Sequence, residues 1–267
     1  MPVRTTTALL AVLLALGPTP ALSVQEPANL HASHALSFGR LLGLTPEGSS
    51  LWARHLLRTG DWQDWKRLTQ VEAEIGRQLA SEQSDWRLLE RLADDYGAES
   101  GRAARVRRQS SVDTALQLTG RDRKAIGAFL EQQAQQGKTP TPLSPALAQN
   151  VGAAAAGLYR SMGFSAAGTD MLIQSSRASS ARRSGRSEAE QAIGRQLSRQ
   201  EPDRTVLNSL VAKWAEDQAR LARLDQTDLI AVARRLTSSD RQRLGRVLRD
   251  GASQDLAGSK PMLELVP

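Results

Sequence analysis

The sequence predicts an all-α protein made by tandem duplication, and three observations carry that prediction. Residues Ile75 to Gln133 overlay Ile193 to Gly251 without a gap, at an offset of 118 positions. Apolar residues recur at spacings of three and four, in Leu88, Leu89, Leu92, Ala93 and Tyr96 and again in Val206, Leu207, Leu210, Val211 and Trp214, which is the pattern of an amphipathic helix. Alanine, leucine, arginine, glutamine and glutamate are abundant, and alternating strand patterns are missing, so propensity agrees with periodicity. A period this long describes two domain-sized halves rather than a solenoid of short repeats.

The N-terminus comes first. Arg4 precedes an apolar run from Ala8 to Leu16, Gly17 and Pro18 break it, and Ala21-Leu22-Ser23 offers small residues for cleavage before Val24. Residues 1–23 therefore read as a secretory signal peptide, shorter than the roughly 20 apolar residues that a membrane span needs. No second such run follows, so the mature chain is expected to be periplasmic or secreted, without a transmembrane segment. Exported chains often carry disulfides, yet this one has no cysteine; burial alone must hold it together, and thiolate metal sites are excluded. Loss of Arg4 with the signal leaves 34 basic against 28 acidic side chains. That balance favours acidic partners, and export argues against nucleic acid.

The repeats divide the rest. The first spans 28–135, a connector rich in threonine and proline covers 136–150, the second spans 151–253, and 254–267 is expected to be a flexible tail. Each unit of about 100 residues lies in the range where one core can sustain a domain. Both copies open with the same pentapeptide, Ile75-Gly76-Arg77-Gln78-Leu79 and Ile193-Gly194-Arg195-Gln196-Leu197. Both reach a Leu-Thr-x-x-Asp-Arg sextet 43 residues later, at Leu118 to Arg123 and Leu236 to Arg241. Between and beyond these anchors Asp85/Asp203, Leu89/Leu207, Arg105/Arg223, Ala115/Ala233 and Gly127/Gly245 are identical, and Tyr96 faces Trp214. Upstream, Arg40, Gly43, Leu44, Thr45 and Gly48 precede Arg160, Gly163, Phe164, Ser165 and Gly168 by 120 positions. Each unit is expected to hold a short first helix, a long antiparallel pair and a final short helix.

The Leu-Thr corners have a physical role of their own. Thr45, Thr119 and Thr237 each stand where a hydroxyl can accept from a free N–H of the first helical turn, and Pro46 follows Thr45 where no donor is needed. Asp122 and Asp240, at the third helical position, are expected to reach back and meet the positive end of their own helix.

An exported helical chain with one Leu-Thr-x-x-(Gln) motif near the start of each unit and another before its last helix resembles the Spy/CpxP and periplasmic heavy-metal-sensor superfamily. The carrying residues are Leu44-Thr45-Pro46-Glu47, Leu118-Thr119-Gly120-Arg121, Phe164-Ser165 and Leu236-Thr237-Ser238-Ser239. The glutamine of that motif is replaced by Gly48, Asp122, Gly168 and Asp240. The resemblance implies an intertwined, cradle-shaped dimer that shields unfolded envelope proteins, inhibits a sensor kinase or senses metal. A tandem copy would place both halves in one chain, giving two helical-hairpin units of about four helices each, packed as a monomeric single-chain pseudo-dimer with an internal pseudo-two-fold.

The copies diverge in their large side chains. Trp52, Trp62, Trp65 and Trp86 crowd the first, while the second carries Arg177, Arg182, Arg183 and Arg186 in a serine-rich run. One expectation is a client-binding face with an aromatic and a cationic half; the other is that the tryptophans are core and the arginines solvated. His31 and His34, one helical turn apart, could hold zinc or copper were a third ligand such as His55 or Glu47 to come near. No cofactor is otherwise implied. The chain has no Gly-x-Ser-x-Gly elbow, no His-Glu-x-x-His helix and no phosphate-binding glycine loop, so a non-enzymatic, protein-binding function is expected, as a chaperone or an envelope-stress modulator.

Overall fold

A computed structural model describes residues 37–58, 62–138, 145–184 and 188–258, without the side chains of 56–58, 62–65, 136–138, 145–152, 180, 181, 183, 184 and 254–258. The expected signal peptide, His31 and His34 lie outside the described residues. Every regular element in the described ranges is helical. After helical residues 37–41, the first copy forms α1 (Pro46–Arg58), α2 (Trp62–Ala80), α3 (Trp86–Gln117) and α4 (Gly120–Lys138). The second forms α5 (Pro145–Ser161), α6 (Ala166–Ser184), α7 (Glu188–Leu197), α8 (Arg204–Arg235) and α9 (Ser238–Gly258). Helix thus enters the expected connector from both sides and continues to Gly258 in the expected tail. Among the described residues no helix is long and apolar enough to cross a membrane.

The pair inside each copy is unequal, a shorter helix packing on a long one, α2 on α3 and α7 on α8. Each copy has a single 32-residue helix, α3 or α8, about 48 Å long at 1.5 Å per residue. The main partner of each is the other. Small residues explain the pairing: a Cβ on Gly97 would lie 2.9 Å from the Ala219 carbonyl oxygen, and one on Gly101 would lie 2.6 Å from the Ala219 Cβ. Leucines at this contact would hold the helices apart; glycine and alanine let the backbones approach.

Large apolar residues flank that contact and form two cores. The first joins Ile75, Leu79, Leu89 and Leu92 of the first copy to Phe164, Leu172, Ile230, Leu236 and Leu244 of the second. The second core joins Leu44, Trp52, Val112, Leu118 and Ile126 to Ile193, Leu197, Leu207 and Val211. These sets correspond under the repeat: Ile75 matches Ile193, Leu89 matches Leu207, Val112 matches Ile230 and Ile126 matches Leu244. Neither core is made by one copy alone.

Glycines place the outer helices. Helix α2 packs on α9, and α4 on α7. A Cβ on Gly76 would stand 2.8 Å from the Gly245 carbonyl oxygen, and a Cβ on Gly127 2.6 Å from that of Gly194. The glycine of the repeated pentapeptide therefore marks where each copy meets the other. Two further glycines end helices. Gly43 (φ 74) and Gly163 (φ 82) take the left-handed conformation, donating to the Arg40 and Arg160 carbonyls at 2.9 and 2.8 Å. The next residues donate to the Gly39 and Tyr159 carbonyls, which is a Schellman stop and needs a residue without a Cβ.

Candidate functional site

The corners are built from threonine, serine and aspartate. Gly48 N–H donates to Thr45 Oγ1 at 3.1 Å, Asp122 N–H to Thr119 Oγ1 at 3.2 Å, and Asp240 N–H to Thr237 Oγ1 at 3.2 Å, so each hydroxyl caps its helix. The carboxylates also reach beyond their own helices, which was not expected. Asp122 accepts from Thr45 N–H at 3.0 Å and Thr45 Oγ1 at 2.6 Å. Asp240 accepts from Ser165 N–H at 3.0 Å and Ser165 Oγ at 2.5 Å. Each aspartate locks the first corner of a copy to its last. The reason is space: a Cβ on Gly48 would collide with the Asp122 carboxylate, and one on Gly168 would lie 2.7 Å from Asp240 Oδ2. Glycine at one corner and aspartate at the other are a coupled pair.

Both carboxylates are buried. Burial pushes the Asp240 carboxyl up, but hydrogen bonds from the Ser165 hydroxyl and N–H and from Thr237, with Arg243 near, outweigh it and leave it below its ordinary 3.8. A carboxyl lowered by folding stabilises the protein above its unfolded value and loses that contribution as pH falls through the folded value. Asp240→Asn should cost about 1–3 kcal/mol at pH 7, and the gap to the parent should narrow below pH 3.8. Urea melts at the two pH values check this; an equal gap at both would show that the charge is not what matters.

The arginine of the sextet crosses between copies. Arg123 donates to the carbonyls of Leu197 at 3.2 Å and Gln200 at 2.9 Å, closing the C-terminus of α7. Arg241 donates to Glu82 O at 3.0 Å beyond α2. In the Leu-Thr-x-x-Asp-Arg motif the leucine enters a core, the threonine caps, the aspartate ties its own copy and the arginine ties the other.

Of the expected binding residues, few offer a free face. Trp52 is 8% exposed and belongs to the second core. Trp86 is half-buried against the first core, with the Arg234 and Arg241 guanidinium groups 5.1 and 5.8 Å from its ring. The side chains of Trp62, Trp65 and Arg183, and all of Arg186, lie outside the described residues. Arg177 is exposed. Arg182 is held by Asp225 at 3.1 Å and Asp228 at 2.6 Å. His55 is buried with Ser111 Oγ 3.0 Å from Nε2 and Ser110 Oγ 3.3 Å from Nδ1. Both ring nitrogens are engaged, and burial drops the imidazole to about 4; it is a satisfied core histidine and not a free metal ligand. Among the described residues no cluster of three or more potential ligands occurs.

An open groove on the surface was not anticipated from the sequence. A groove of about 660 Å³ runs between α1 and α3, lined by Leu51, Arg54, His55, Arg105, Val106 and Ser110 among others. Arg54 and Arg105 are exposed, and Val106 is 47% exposed. A signal was present in the sequence. At these positions the second copy has Met171, Gln174, Ser175, Arg223, Leu224 and Asp228, so polar lining changes where the scaffold residues repeat. No family model, curated protein or solved structure matches the chain.

Proposed function

We propose that the chain is an exported helical protein that binds other polypeptides, acting as an ATP-independent chaperone or an envelope-stress modulator of the Spy/CpxP type, as a monomeric single-chain pseudo-dimer. The observation that carries this reading is the division of labour between repeated and diverged residues. Those identical in both copies build the frame: Gly76/Gly194, Gly127/Gly245 and Arg123/Arg241 join one copy to the other, and Asp122/Asp240 close each copy on itself. Apart from Arg105, the groove of the first copy is lined by residues that differ between copies, and it combines apolar area with charge. A helical frame with an open amphipathic groove suits recognition of polypeptide segments.

Aggregation of a reduced client, followed by light scattering without ATP, tests the reading. The mature chain should suppress scattering at near-equimolar ratio, and failure to do so at large excess would contradict it. No structural observation favours the metal-sensing alternative.

A further inference from the structure

We infer that the groove between α1 and α3 is a docking site for a short acidic segment of a partner polypeptide, with Arg54 and Arg105 taking its carboxylates. The inference deepens the polypeptide-binding reading and rests on it.

The two copies show how the site arose. In the second copy, Arg223 pairs with Asp94 across α3 and α8, at 2.6 Å. The matching pair in the first copy would join Arg105 to position 212, which is Ala212. Arg105 has thus kept its charge and lost its internal partner. Arg54 matches the neutral Gln174, so the groove carries a second cation that the matching face lacks. The groove's acid is already neutralised, since Asp113 accepts from Arg204 at 2.9 Å.

The second copy also shows what covers this face. Helix α6 has 19 residues where α1 has 13, and its last turns lie on α8. There Ser179 donates to Asp225 at 2.7 Å, and Arg182 bridges Asp225 and Asp228. The positions matching Asp225 and Asp228 are Arg107 and Ser110. The long helix is acidic where its own copy covers it with a basic turn, and basic or neutral where α1 ends early. The complementary occupant of the first copy is therefore acidic. Leu51 and the exposed Val106 provide apolar contact for its non-charged face, which favours an amphipathic peptide over a nucleic acid. Arginine suits the task because its planar fork can hold a carboxylate through two hydrogen bonds.

Fluorescence anisotropy on the full mature chain tests this, using a labelled amphipathic peptide with glutamates on one face and leucines on the other. Its glutamine-substituted isomer is the control. The acidic peptide should bind at least about tenfold tighter than the isomer, and raised salt should close that gap. Arg54→Gln with Arg105→Gln should remove the preference, while Arg177→Gln, on an exposed residue away from the groove, should not. Circular dichroism should show the helicity of both variants unchanged. An unchanged preference in the double variant, no binding, or tighter binding of single-stranded DNA than of the acidic peptide would overturn the inference. Suppressed aggregation by the double variant alongside lost peptide binding would support the groove and assign chaperoning to another surface. Peptide binding by a parent chain that suppresses no aggregation would uphold the groove and defeat the chaperone reading.

Discussion

Gly245→Val should lower the stability of the whole protein by about 3 kcal/mol or more, the upper range of overpacking costs. The β-carbon alone would stand on the Ala80 backbone nitrogen and 2.5 Å from the Gly76 carbonyl oxygen. Neither neighbour is the end of a flexible side chain, so α2 and α9 must separate. Separation strips packing from Leu79 and Leu248, both members of the first core, and the loss spreads beyond the crossing. Gly127→Val should behave alike at the symmetry-related contact of α4 with α7, since the Gly194 carbonyl oxygen would lie 2.6 Å from a β-carbon placed there. Gly157→Ala is the control. It sits in α5 with nothing within 4 Å of an added β-carbon, and should stabilise by up to about 1 kcal/mol through better helix propensity. Thermal melts of the three variants check the set; equal effects at Gly245 and Gly157 would show that the α2–α9 contact is loose enough to admit a side chain.

Much of the scaffold is readable in the chain because helix periodicity and duplication are local facts. Leu89 and Leu207 sit on apolar stripes and are fully buried. Thr119 and Thr237 cap where their position before a helical pattern says they should. What stays hidden depends on which helix meets which. Gly76 and Gly245 are unremarkable in sequence, since a glycine in a helix looks like a cost until the other backbone arrives. Asp122 reads as a capping acid for its own helix, and only the fold brings Thr45, 77 positions away, to its carboxylate. Short connections favour neighbours, which points to a long antiparallel partner inside each unit. It lies in the other copy, since the glycine and alanine face of α3 fits only a face equally small.

The site is legible, but in different residues from those that draw the eye. Tryptophan and arginine promise contact energy wherever they occur, but Trp52 has a core to fill and Arg182 has two aspartates to neutralise. Arg105 carries the better signal. It repeats as Arg223, whose partner Asp94 has no counterpart at Ala212, and a retained charge without its retained partner marks a surface open to something else.

The central claim is that neither copy can form a core alone, and cutting the chain within 139–144 tests it. The fragment ending there carries Ile75, Leu79 and Leu89 without Ile230, Leu236 and Leu244, and also Val112, Leu118 and Ile126 without Ile193, Leu197 and Leu207. The second fragment carries the complements. Both fragments have the apolar stripes for two half-cores that face apart along one 32-residue helix, so a chain cannot close them on itself. Each should be poorly helical as a monomer, or should self-associate through the same faces. Mixing the two should give a one-to-one complex with the helicity and single cooperative melt of the uncut chain. The decisive measurement is circular dichroism with sedimentation of each fragment before and after mixing. Recovery of native helicity only in the mixed complex is the predicted result, whereas two fragments that are each monomeric, fully helical and cooperatively melting, with no change on mixing, would contradict the account.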